Sequence, residues 1–113
     1  MVIDFSKMEE QNFPGFKGGE GSYNARMHTD ELGKIMLGRL EPDSSIGLHT
    51  HETNSEIIYI ISGKADLIYD DGTEVIEAGG CHYCPMGHTH SLMNKGDCDL
   101  VFFAVVPEQN FEY

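Results

Sequence analysis

The amino-acid sequence predicts an all-β domain, folded as a sandwich or a closed barrel. Three observations carry that expectation. Glycine is abundant, at 13 residues, and falls at intervals between short apolar runs. An Asp-Gly pair at 71–72 separates two such runs, the strongest short hairpin signal in a sequence. No segment sustains a helical period, and there is no internal repeat.

Residues 1–22, with Pro14, Gly15, Gly18, Gly19 and Gly21, lack a clear period and read as an arm holding a short strand or one helical turn. Residues 23–113 read as one barrel domain. Lys34 to Leu40 is a strand closed by the turn Glu41-Pro42-Asp43-Ser44, and Ile46 to Thr50 is the next. His51 leads into a polar loop at Glu52 to Ser55. Glu56 to Ile61 is a strand that stops at Ser62-Gly63-Lys64. Ala65 to Tyr69 and Thr73 to Glu77 form the hairpin across Asp70-Asp71-Gly72. Ala78-Gly79-Gly80 turns the chain into Cys81 to Cys84, and Pro85-Met86-Gly87 turns it again into Thr89 to Asn94. Cys98 to Val106 is the last long strand, ended by Pro107. About eight or nine short strands in a chain of this length suit a sandwich or barrel.

Two runs do not alternate: Ile57-Ile58-Tyr59-Ile60-Ile61, and Leu100 through Val106. They read as strands covered on both faces. The outer cover is either a second copy of the chain, giving a symmetric homodimer, or the N-terminal arm.

The 113 residues make one domain with enough apolar sequence, 40%, to bury a core. A net charge of -12, from 19 acidic residues against 7 Lys and Arg, repels phosphate backbones and anionic bilayers. Nucleic acid and membrane are therefore not expected partners. No run approaches the roughly 20 apolar residues of a membrane span, and no secretory signal is visible. Three cysteines is an odd number, unlike a secreted disulfide framework. A cytoplasmic protein with reduced thiols is expected.

The chemistry concentrates at His49-Thr50-His51. Strand side chains alternate, so two histidines at this spacing share a face and suit one metal ion. Glu56 heads the next strand in phase with Ile58 and Ile60, which places a carboxylate on the interior face. A buried carboxylate needs a cation, because an unpaired buried charge costs several kcal/mol.

These residues carry a family resemblance. Residues 43–63 read D-x5-H-x-H-x4-E-x6-G, which closely resembles the first cupin motif, with Asp43 where that motif begins with glycine. Residues 79–94 read G-x5-P-x-G-x2-H-x3-N, which resembles the second motif at Gly79, Pro85, Gly87, His90 and Asn94. The resemblance covers nearly half the chain. It implies a cupin double-stranded β-helix, or jelly-roll barrel, open at one end. It also implies that His49, His51, Glu56 and His90 gather around one divalent transition metal ion. Such a donor set suits Fe, Mn, Ni, Zn or Cu, with positions left open for a ligand.

Several weaker candidates accompany these four. His82 and Cys84 share one face of their strand, Cys81 and Tyr83 the other; whichever pair faces the pocket offers an acid, a base or a soft ligand, or simply fills the wall. Cys81 and Cys84 form C-x-x-C without the helix N-terminus that makes such pairs redox-active. Arg39 lies in an apolar strand and either clamps a substrate carboxylate or pairs with surface acids. His28 either reaches a pocket or stays at the surface, and His88 belongs to a turn near the barrel mouth. Tyr59 and Tyr69 are expected in packing roles.

Cupin barrels host unrelated activities. The leading expectation is a metal-dependent enzyme acting on a small polar molecule inside the barrel, of dioxygenase, lyase, isomerase or decarboxylase type. Its catalytic candidates are Glu56, His82, Tyr83 and Arg39. The alternatives are a non-catalytic small-molecule-binding module and a purely structural metal site.

Overall fold

A computed structural model of the chain describes residues 1–109. Ten strands follow one another: β1 (Gln11–Pro14), β2 (Ser22–Asp30), β3 (Gly33–Leu40), β4 (Ser45–Thr50), β5 (Glu56–Ser62), β6 (Lys64–Tyr69), β7 (Gly72–Glu77), β8 (Cys81–Cys84), β9 (Thr89–Met93) and β10 (Leu100–Pro107). They form two antiparallel sheets, ordered β1-β2-β3-β10-β5-β8 and β4-β9-β6-β7. Among the described residues the helical content is two short 3-10 turns, Phe5–Lys7 and Phe16–Gly18. No helix among the described residues is long and apolar enough to cross a membrane.

The two sheets enclose the core through alternation. Leu40, Met36, Ile58, Ile60, Leu67, Leu92, Leu100, Phe102 and Ala104 are buried between them. Tyr23 stacks on Phe102 with ring centroids 5.9 Å apart, and Phe16 and Phe13 pack on Tyr23 from the mouth side. Space for the Tyr23–Phe102 stack comes from Gly38, where a Cβ would lie 2.5 Å from the Phe102 ring.

The apolar run of β5 alternates in burial although not in sequence. Ile58 and Ile60 point inward, while Ile57, Tyr59 and Ile61 are 40–45% exposed on the outer face. The arm covers only part of that outer surface: Phe5 sets its ring edge-on to Phe103 of β10, at 6.3 Å. It does not reach over β5. Residues 11–14 of the arm, as β1, add an edge strand to the larger sheet beside β2.

The second 3-10 turn is clamped on β4. Ser45 donates its N–H to Glu20 O, and its hydroxyl accepts from Glu20 N–H, at 2.9 and 2.8 Å. The approach is so close that a Cβ on Gly47 would lie 2.0 Å from Lys17 O, and one on Gly19 2.1 Å from Ser45 O. Lys17 is held at φ 56°, ψ 27°, a left-handed conformation that a lysine adopts at a cost of roughly 1 kcal/mol or more. The arm thus becomes a wall of the barrel mouth.

Candidate metal centre

His49 lies directly across the sheet from His90, in the paired strands β4 and β9. Simple alternation along β4 would defeat this arrangement. Ile46 is buried, so Leu48 and Thr50 would follow it inward and both histidines would face out. Instead, pairing shifts between Ile46↔Leu92 and His49↔His90, so β4 carries one residue more than β9 over that stretch. This bulge reverses the phase. Leu48 is 56% exposed, and His49 and His51 turn into the barrel.

Glu56 enters at the start of β5, in phase with Ile58 and Ile60 as the sequence predicts. The loop between His51 and Glu56 is tied down at both ends. His51 donates its N–H to His88 O and accepts from Gly87 N–H, which couples it to the turn before β9. Ser55 N–H donates to Pro107 O and Gln109 N–H to Thr53 O, which anchors the loop to the chain beyond β10.

The four side chains converge. His90 Nε2 lies 2.9 Å from His51 Nε2 and 3.2 Å from His49 Nε2, and Glu56 Oε1 lies 3.2 and 3.1 Å from His51 Nε2 and His90 Nε2. Their other ring nitrogens are already engaged. His49 Nδ1–H donates to Gly47 O at 2.7 Å, and His51 Nδ1–H to Asn54 Oδ1 at 2.6 Å. His90 Nδ1 faces His82 Nε2 at 3.1 Å. Each Nδ1 is a donor, so each Nε2 presents a lone pair inward.

Three lone pairs and a carboxylate facing one another at such distances repel unless a cation or a proton sits among them. The separations match those of neighbouring ligands around an ion with bonds of about 2.1 Å. The donor set therefore fits a metal ion, and these four residues could hold one. Burial by itself pushes the Glu56 carboxyl up, but His51 and His90 beside it outweigh that and hold it at about 2. Burial also pulls His51 down, while Glu56 and Asn54 more than compensate and raise it. His49 is lowered, chiefly by burial.

The centre forms the floor of a cavity of about 300 Å³, within the range of small-molecule pockets. Its walls are apolar at Phe16, Tyr23, Met27 and Met36, and its mouth carries Lys17, Lys34, Thr50 and Glu52. Lys17 and Lys34 are two of the seven Lys and Arg residues in the whole chain. Their convergence on the mouth was not readable in the sequence, because it depends on the clamp between the arm and β4.

The remaining sequence candidates lie elsewhere. His82 and Cys84 are the inward pair of β8, packed behind His90, and Cys81 and Tyr83 face out. All three cysteines are free. Arg39 sits on the outer surface, bonded to Glu10 at 2.7 and 3.2 Å, and to Glu41 and Asp99 at 3.1 and 3.3 Å. Met27 lines the cavity, so its neighbour His28 points away and pairs with Asp30 at 3.0 Å. His88 pairs with Asp70 at 2.6 Å and stacks on Tyr69. Of the four candidates for catalysis, Glu56 alone borders the cavity.

Two further motif positions act through the backbone. Buried Asn94 donates to Leu40 O and Cys98 O and accepts from Gly96 N–H, which pins the turn after β9. Asp43 adopts φ 66°, which explains why glycine suits this position and why Asp is accepted.

The model of the cupin domain matches residues 36–106. An oxalate-binding protein of Thermotoga maritima is 35% identical, over 94% of this chain and 93% of its own length. A crystal structure described as a predicted oxalate decarboxylase from Thermotoga maritima superposes with TM-score 0.89 at 29% identity, covering 96% of this chain and 99% of that one. A putative sugar phosphate isomerase from Acidithiobacillus ferrooxidans shares the fold at TM-score 0.79 and 21% identity, covering 96% of this chain and 74% of that one. With the motif residues gathered in a two-sheet antiparallel barrel, the chain belongs to the cupin family.

Proposed function

We propose that this cupin holds one divalent metal ion on His49, His51, Glu56 and His90 and captures a small, oxygen-rich anion above it. A dicarboxylate such as oxalate is the reference ligand. The observation that carries this reading is the convergence of three imidazole lone pairs and a carboxylate on the floor of an open cavity. An ion held there supplies Lewis acidity toward the oxygen atoms of a ligand. The chain's own residues do the rest. Lys17 and Lys34 offset negative charge at the mouth, in a protein whose net charge of -12 would otherwise repel an anion. Phe16, Tyr23 and Met36 exclude water from one wall. The relative named an oxalate-binding protein supports the same ligand class.

Metal-dependent turnover is the competing reading, of the dioxygenase, lyase, isomerase or decarboxylase type, and the relative described as a predicted oxalate decarboxylase favours it. Capture is preferred on the groups that border the cavity. Beyond the proposed ligands the ionisable ones are Lys17, Lys34 and Glu52 at the mouth and Tyr23, whose pKa burial raises far above the working range of an acid. Calorimetric titration of oxalate into metal-loaded protein tests both readings. Binding that disappears on chelation and weakens in Lys17→Ala is expected. Consumption of oxalate in proportion to bound metal would replace capture with catalysis, and no metal-dependent binding of oxalate or a longer dicarboxylate would overturn the ligand class.

We further propose a symmetric homodimer through the outer face of β5 and β8. Ile57, Tyr59, Ile61 and Tyr83 form an apolar patch there, each 40–54% exposed, and an exposed patch of this kind favours association. A cytoplasmic setting is supported by the odd number of thiols, three, all free in the fold.

A further inference from the structure

Behind the cavity lies a histidine that the four converging ligands do not account for. His82 of β8 is 2% exposed and has no place in the cavity wall. Both of its ring nitrogens are engaged. Nδ1 lies 2.7 Å from the Glu74 carboxylate on β7, and Nε2 lies 3.1 Å from His90 Nδ1. A carboxylate only accepts, so His82 Nδ1 carries the hydrogen and Nε2 is an acceptor. His90 Nδ1 must then donate to it, which leaves the His90 Nε2 lone pair directed into the centre. The rings are fixed as well: the planes of His82 and His90 lie 20° apart, and Tyr69 stands edge-on to His82 at 5.5 Å.

His49 and His51 receive a backbone carbonyl and a side-chain amide as their outer partners. Among the described residues, His90 differs in being linked through a second imidazole to a carboxylate. A carboxylate behind a ligand histidine fixes its tautomer and raises its donor strength. Resting on the metal reading above, we propose that Glu74 and His82 are positioning residues that set the affinity of the centre through His90, by a carboxylate–imidazole–imidazole chain running from the protein surface to the site.

Cys84 lies close enough to His82 and His90 for the three to suggest a second cation site. Such a site would require His90 to give up its Nδ1 hydrogen and the thiol to ionise. Burial pushes the Cys84 thiol up to about 11, which opposes this. The hydrogen-bonded chain uses the same nitrogens without either cost.

The test uses Co(II) alone as the probe, with its visible spectrum and its affinity measured by competition with a chelator. His82→Leu removes the acceptor and is expected to weaken Co(II) binding by about 10- to 100-fold and to shift the visible bands. His82→Gln keeps an amide oxygen as acceptor and should recover part of that loss. Glu74→Gln changes a side chain 40% exposed, so it tests the chain without threatening the core; a loss of about threefold or more is expected. Wild-type affinity in Glu74→Gln and His82→Leu alike would overturn the inference while leaving the metal centre in place. Two Co(II) per chain, with one lost in Cys84→Ser, would overturn it in favour of the second site. No Co(II) uptake by the wild type would defeat the metal reading and this one with it.

Discussion

At the residue scale, the centre is defined by which nitrogen of each imidazole is spoken for. The outer partners Gly47 O, Asn54 Oδ1 and His82 Nε2 each take one ring N–H, and the inward nitrogens are left to share whatever positive charge is available. Without a metal that charge is a proton, held mainly between His51, whose pKa is raised, and Glu56, whose pKa is depressed. A protonated imidazole cannot ligate, so metal must displace the proton. Affinity is therefore full above the raised His51 value and falls below it by about tenfold per pH unit for one proton. Chelator competition across pH checks this; a flat profile from pH 8 to 5 would show that no ligand proton is displaced. Asn54→Leu removes the partner of His51 Nδ1–H and is expected to cost about 10- to 100-fold in affinity, read by the same competition.

At the element scale, two backbone features place the side chains, and the second depends on an absent Cβ. The bulge in β4 turns His49 and His51 inward, and the close approach of Lys17 O to Gly47 fixes the arm against the same strand. Gly47→Ala forces Lys17 O away from a Cβ that would stand 2.0 Å from it. Detachment of the 3-10 turn is expected, with about 1–3 kcal/mol lost in thermal unfolding and weaker anion binding as Lys17 leaves the mouth. Wild-type stability in that variant would show that the clamp yields freely.

The motif residues made the four converging side chains legible from the sequence, and the hairpin at Asp71-Gly72 and the turns at Gly63, Gly79 and Gly87 marked most strand ends. The phase reversal in β4 was barely legible: its one mark is Gly47, and a strand glycine equally signals a close backbone approach, which Gly47 also makes with Lys17. The role of the arm was not legible: contacts from Lys17 to β4 join segments about 30 residues apart that share no pattern. Arg39, on an apolar strand, allowed two readings, a pocket cation or a partner of surface acids. Its side chain follows the outward phase, where Glu10 of the arm meets it, as in the second.

At the scale of the whole molecule, a barrel this small leaves one sheet with an apolar outer face. The arm shields Phe103 and leaves Ile57, Tyr59, Ile61 and Tyr83 uncovered. Sedimentation should therefore give a dimer for the wild type and a folded monomer for Tyr59→Glu combined with Ile57→Lys. A monomeric wild type at micromolar concentration would remove the proposed interface. Lys17 and Lys34 over the four converging side chains are what the proposed anion site requires in a strongly acidic chain. The most direct measurement is the metal content of protein purified without a metal-affinity column, in the wild type and in His51→Ala. About one divalent ion per wild-type chain and none in the variant is the expected result. A wild type that holds no ion even after reconstitution, or a variant that keeps the full complement, would contradict the assignment of His49, His51, Glu56 and His90 as its ligands.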